Sequence, residues 1–345
     1  MTLDHIGVIE GSLREGGWTA SGNIFSDADR LDWYKAVTSS FRLYTGGAWE
    51  PDLRVAFNGH LLPDRWRKTA QSSVAPWQAF TCQEFMKRGR IQGIFFKADA
   101  SPGNDHQITN MTLANIVNHL LGIEGEFGHC NLVRDVWPEG IAEVDIDTTN
   151  SLPLDSYSLK EGNFWQRLQE IAGLDGYLLY VSKDNTIHYV PHPMFGTLPS
   201  VTMDFTSAHI IEPLGITPRN TETVGLVKAH ATDASGAQYD GVYPAAPTAG
   251  PIKALSGIKT TSGGDLDAVA ERHYKTENRA YTVEMTCPGA IGLLFEILDR
   301  ISITYTSSAD GITWSAQKFW IENIMVALTS AEEITTTFTL EAENA

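Results

Sequence analysis

The chain has 345 residues and a mass of 37.9 kDa, enough to shrink a surface of roughly 55,000 Å² unfolded to about 14,000 Å² on folding and to bury one large core or two or three small ones. With 42% hydrophobic and 19% charged residues, neither a disordered chain nor a coiled coil fits. The net charge of −17 repels nucleic-acid phosphates. The basic clusters Arg65, Arg67, Lys68 and Lys87, Arg88, Arg90 lack the stacking aromatics of a single-strand binder. No apolar run approaches the roughly 20 residues of a membrane span, and Met1–His5 has no basic leader region. Cys82, Cys130 and Cys287 lie far apart, which argues against a disulfide framework and a zinc knuckle.

In chain order, residues 1–104 read as a small β-barrel or sandwich, crowded with turn residues and aromatics. Leu53, Val55 and Phe57 alternate with Arg54 and Ala56, the period of a half-buried strand. Asn58-Gly59 reads as a hairpin turn, because both residues accept positive φ. A short helix is expected around Ala28 to Val37. Residues 105–215 form an α+β insert. Thr112 is the expected cap of a helix carrying Leu113, Ile116, Val117, Leu120 and Leu121 on one face. After the acidic strand at 143–147, Ser158 and Glu161 have the spacing of a capping box for a helix bearing Phe164, Trp165, Leu168, Ile171 and Ala172 and ending at Gly173. A hairpin follows, with strands at 177–181 and 186–190 and a turn from Ser182 to Asn185. Residues 216–345 are expected to form a second β-barrel module with an exposed Pro-rich loop at 243–251, a short helix capped by Asp265, and closing strands. In those strands Ile301, Ile303 and Tyr305 share a face, as do Trp320, Ile324, Val326 and Leu328. In the last strand Ile334, Phe338 and Leu340 alternate with Thr335, Thr337 and Thr339. The fold class is therefore mixed α+β, mainly β: two tube-like β-barrel modules flanking a small α+β insert.

No nucleophile, zincin or nucleotide motif occurs, so no catalytic residue, cofactor or enzymatic activity is assigned. His188 and His192 are the closest histidine pair, but Pro191 argues against a helix there, and in a strand i and i+4 stand about 13 Å apart, so no metal is assigned. Nine tryptophans are many. Trp165 and Trp320 sit on apolar faces, whereas Trp66 and Trp77 sit among polar residues and are candidate interface anchors. Together with Thr335, Thr337 and Thr339 on the outer face of the last strand, they form the expected oligomer or partner interface.

The segment from Phe164-Trp165-Gln166-Arg167-Leu168 through Ile171-Ala172-Gly173, Gly176-Tyr177-Leu178-Leu179-Tyr180 and Asn185-Thr186-Ile187-His188-Tyr189 resembles the tail hub proteins of tailed phages and the equivalent part of type VI secretion spikes. Leu298-Asp299-Arg300-Ile301 ahead of Phe319-Trp320-Ile321 is similar to that family's second barrel. The likeness runs from about Ile108 onward. It implies a structural virion protein: a homotrimer whose paired modules make a ring of six, joining the hexameric tail tube or a distal tail protein to a threefold central spike or fibre. It further implies a virion tail location after synthesis in the host cytoplasm, and an acidic channel through which DNA passes without specific binding. The competing expectation is a receptor- or carbohydrate-binding tail protein in which Trp66 and Trp77 stack on sugar.

Overall fold

Short polar residues alternating with apolar ones commit a segment to a strand with one buried face. The closing strand shows this, with Thr336, Phe338 and Leu340 fully buried and Thr335, Thr337 and Thr339 only half-buried. The computed structural model describes residues 5–25, 36–45, 48–61, 74–91, 93–97, 106–107, 111–121, 144–218, 223–260, 266–278, 281–307, 311–328 and 334–343. Its first strands are β1 (His5–Ser12), β2 (Gly17–Phe25), β3 (Ala36–Phe41), β4 (Arg54–Leu61) and β5 (Val74–Phe80), followed by helix α1 (Gln83–Arg88) and β6 (Ile94–Lys97). Helix α2 (Leu113–Leu120), β7 (Val144–Ile146), β8 (Ser156–Leu159), helix α3 (Phe164–Asp175) and the hairpin β9 (Tyr177–Val181) and β10 (Ile187–Pro191) occupy the middle. After them come β11 (Asp204–Thr206), β12 (Ile211–Pro218), β13 (Leu226–Thr232), β14 (Gln238–Tyr243), β15 (Ile252–Lys259) and helix α4 (Leu266–Glu277). The chain closes with β16 (Tyr281–Pro288), β17 (Arg300–Ser307), β18 (Ile312–Leu328) and β19 (Ile334–Ala342).

One 11-stranded sheet dominates, in the order β12-β16-β19-β18-β1-β2-β5-β4-β3, with a branch from β18 through β17 to β11. Strands from both ends of the chain therefore share one sheet. The joint is the antiparallel pairing of β1 with the second half of β18, from Val8 opposite Ala327 to Ser12 opposite Asn323. Beneath it lies a core built from both ends, including Trp18, Phe57, Trp77, Phe205, Phe295, Ile321, Ile324 and Phe338. Phe205, Phe295 and Phe338 meet pairwise with centroids 5.5–5.8 Å apart, in the tilted and edge-on arrangements aromatic rings prefer.

A second core joins α1, α2 and α3 to β9, β10, β13 and α4. Val224, Val227, Ala229, Ala231, Ile258, Leu266, Val269 and Ala270 thus pack with the helical insert, whereas the sequence reading places them in the second β module. Val227, Ala229 and Ala231 of β13 face α4, and their burial is what attaches this small sheet to the insert. Gly241 permits the close approach: a Cβ there would lie 2.3 Å from the Leu266 carbonyl carbon.

Several local expectations are corrected. Asn58-Gly59 is no turn but continues β4, with Asn58 opposite Thr38 and Gly59 opposite Val37. The expected helix at Ala28 to Val37 lies outside the described residues up to 35, and Ala36 and Val37 are strand. Ser158 does not cap α3; it pairs with Phe95 in β8. The cap is Asn163, whose side chain accepts from the Gln166 amide at 3.0 Å. The helix also runs past Gly173 to Gly176, which takes the left-handed conformation at φ +72° that favours glycine. A bulge in β18 between Ile321 and Asn323 flips the register, so Trp320 faces away from Ile324 and Val326, against His192 and the Arg300 guanidinium.

Candidate assembly interface

The sheet path ends at β12 on one side and β3 on the other, and among the described residues neither strand has a second neighbour. Unpaired N–H and C=O groups at such ends are templates for another chain. β12 is held to β16 by pairs from Gly215–Glu284 to Pro218–Tyr281, with a bulge between Ile211 and Gly215. Its apolar side chains Ile211 and Ile216 remain 44% and 38% exposed. β3 is held to β4 alone and presents Ala36, Thr38 and Ser40 to solvent while burying Val37.

The sheet face opposite the core is built from short polar side chains. Cross-strand partners share a face, and one row reads Thr286, Thr337, Met325, Glu10, Thr19. The row on one side of it reads Glu284, Thr339, Asn323, Ser12, and the row on the other side Thr335, Ala327, Val8, Ser21, Gln78. Two carboxylates, Glu10 and Glu284, stand in these rows and no lysine or arginine does. Thr286 and Thr337 hydroxyls lie 3.3 Å apart, which ties the hydroxyl ladder across strands.

Of the residues singled out from sequence, Thr335, Thr337 and Thr339 thus lie together on this polar face. Trp66 lies outside the described residues. Trp77 is corrected: its ring is 1% exposed, on the core side of β5 opposite Gly22. Polar neighbours in sequence misled because they occupy the other face of the strand. A ring enclosed there offers no surface to a partner or a sugar.

The two histidines singled out from sequence are engaged within the fold. His188 Nδ1 lies 3.0 Å from Asp145 and its Nε2 3.1 Å from the Ser182 hydroxyl, while His192 is buried against Trp320. No group of three potential metal ligands occurs among the described residues, and no helix there is long and apolar enough to cross a membrane. A cavity of about 290 Å³ opens between β10 and α4, lined by Asp147, Tyr177, Phe195, Glu271, Arg272 and Lys275. Its cations are committed: Lys275 pairs with Glu271 at 2.6 Å and Arg272 with Asp175.

A long, branched, mainly antiparallel sheet, joined from both ends of the chain and accompanied by a helix–hairpin insert on a second core, defines the class of fold. Among solved structures the chain is similar over 98% of its length to a tail protein from Neisseria meningitidis, at a TM-score of 0.63 with 15% identity and 92% of that chain covered. It is similar over 97% to the 43 kDa tail protein of prophage MuSo2 from Shewanella oneidensis, at 0.57 with 13% identity and 92% covered. A component of the Escherichia coli type VI secretion system, itself structurally similar to the T4 tail proteins gp27 and gp5, aligns at 0.52 with 11% identity, covering 98% of this chain and 74% of that one. No family model matches the sequence, and no curated protein matches it. The chain has the fold of phage tail proteins and of a type VI secretion component, as its helix–hairpin segment leads one to expect.

Proposed function

We propose that this protein is a structural, non-enzymatic hub of a phage tail or related injection machine, assembled as a homotrimer that joins the tail tube, or a distal tail protein, to a central spike or fibre. The observation that carries the reading is the single sheet whose path ends in two strands lacking an outer neighbour among the described residues, one of them exposing Ile211 and Ile216. The edge of such a sheet offers a template that strands of other chains can complete, and a head-to-tail contact between unlike ends closes into a ring when the rotation fits. The polar face with Glu10 and Glu284 supports a lumen surface. Its hydroxyls are already half-shielded, and its charge repels the DNA that would pass.

Ile216 is exposed in the single chain, so Ile216→Lys is expected to leave the fold intact. It places a charge on the β12 edge, a known device against strand addition, and is predicted to convert assembled protein to single chains in sedimentation velocity with an unchanged circular dichroism spectrum. Unchanged assembly in that variant contradicts the use of this edge.

A further inference from the structure

The cavity between β10 and α4 is walled by two kinds of surface. Pro191, Met194 and Phe195, where the chain leaves β10, and the Tyr177 ring at the start of β9 are apolar, while Asp147, just past β7, and Arg272 of α4 bring polar groups to the same space. Arg272 is matched in charge by Asp175 but not in hydrogen bonds. Its Nε donates to the Asp175 carbonyl at 2.7 Å, and its Nη2 to the Asn150 carbonyl at 3.3 Å and to Asp175 Oδ1 at 3.4 Å, whereas Nη1 donates to no described residue. Although the side chain is only 5% exposed, Nη1 is not sealed from solvent, so its two N–H groups open on the cavity. Asp147 is the complement. Its Oδ1 accepts the Thr149 amide at 2.7 Å, and its Oδ2 accepts from no described residue.

We propose that this cavity binds one residue of an extended segment of another protein: a backbone carbonyl of the segment accepts from Arg272 Nη1, a backbone N–H donates to Asp147 Oδ2, and an apolar side chain seats against Pro191, Met194 and Phe195.

Charge decides between a neutral amide and an anion. Lys275 is held by Glu271 at 2.6 Å and Arg272 by Asp175, which leaves Asp147 as the unmatched charge of the lining. A carboxylate would gain Arg272 Nη1 but stand in one cavity with Asp147, with no cation left to offset both. Peptide groups offer an acceptor to one residue and a donor to the other and add no charge. Size agrees, because about 290 Å³ lies at the small end of ligand pockets and suits a single side chain with its flanking amides. The rim is also fixed in advance. The Tyr177 hydroxyl donates to the Thr149 carbonyl, Arg272 Nη2 holds the Asn150 carbonyl, and the guanidinium lies over the Tyr177 ring at 5.0 Å from its centroid, so little is left to order on binding. All of these residues belong to one chain, which makes the site independent of the trimer.

The test titrates N-acetyl-leucine N-methylamide, one residue flanked by two peptide groups, into the isotope-labelled full chain and follows the Asn150, Gly196 and Ala268 amides by NMR. Saturating shifts with a Kd of about 1 mM are expected for a ligand of this size. N-acetyl-leucine, which carries a carboxylate in place of the second amide, is expected to bind about tenfold more weakly, and acetyl-Ala-Leu-Ala-amide at least as tightly as the single residue. Ala268 lines the cavity and is only half-buried, so Ala268→Trp is expected to fill the space without disturbing the core and to abolish the shifts. Absence of shifts at about 20 mM of the amide overturns the proposal. Equal affinity for the carboxylate overturns it, as does exclusion of the longer peptide, which would leave room for a small free amide alone. Shifts that survive in Ala268→Trp place the ligand elsewhere and overturn it too.

Discussion

At the scale of single residues, the most demanding position is Asp175, fully buried at the C-terminal end of α3. Its carboxylate accepts from Ser151 Oγ at 2.6 Å, the Leu152 amide and the Tyr189 hydroxyl at 2.9 Å each, and Arg272 at 3.4 Å. Burial pushes this carboxyl up, and the Ser151, Arg272, Leu152 and Tyr189 contacts pull against it. Arg272 also donates to the Asp175 backbone carbonyl at 2.7 Å and covers the Tyr177 ring, so the cluster pins α4 to α3. Asp175→Ala leaves Arg272 as an uncompensated buried charge and is predicted to cost about 3–5 kcal/mol in urea unfolding at neutral pH. Asp175→Asn, which keeps the shape and one acceptor, is predicted to cost less. Nothing local in the sequence announces this site. Ser151, Asp175 and Arg272 are distant in the chain, and the aspartate lies just beyond Gly173, where the helix was expected to have ended.

At the scale of elements, the legible ones were those whose signals are local. Helix α2 follows from Thr112, whose hydroxyl accepts from the Asn115 amide at 3.2 Å, and from Leu113, Ile116, Val117 and Leu120, all fully buried. Thr112→Ala removes that acceptor and is predicted to lower stability by about 1 kcal/mol in urea unfolding. The β9–β10 hairpin was equally legible, from alternation around a polar turn. Illegible elements were those decided by distant partners. Ser158 and Glu161 spell a capping box, but β6 recruits Ser158 into a sheet, and Asn163 caps the helix instead. Asn58-Gly59 spells a hairpin, yet β3 supplies a partner that keeps the strand straight, and Gly59 is required for close passage: a Cβ there would lie 2.4 Å from the Phe80 carbonyl oxygen. The bulge that turns Trp320 from the Ile324 face leaves no mark in residue type, since bulges arise from pairing.

At the scale of the whole molecule, the class and the mainly β composition were readable, while the joining of both chain ends into one sheet was not, because pairing between β1 and β18 spans most of the sequence. The core shared by β13 was unreadable for a related reason: β13, β14 and β15 look like strands of the second module, and only the burial of Val227, Ala229 and Ala231 shows that they pack with α4 and the insert. The candidate interface divided likewise. Alternation revealed the face of Thr335, Thr337 and Thr339, whereas Trp77 required knowledge of which side of β5 is inside. A charge of −17 on every copy makes association of identical chains self-repelling, so the proposed trimer would rest on strand pairing and apolar edge contacts, and its formation is predicted to strengthen with added salt. The most direct test is the mass of the purified wild-type protein by light scattering across a concentration series at physiological ionic strength. A mass three times 37.9 kDa is predicted, with ring-shaped particles in the same peak. A mass of one chain at every concentration and salt level contradicts the trimeric hub.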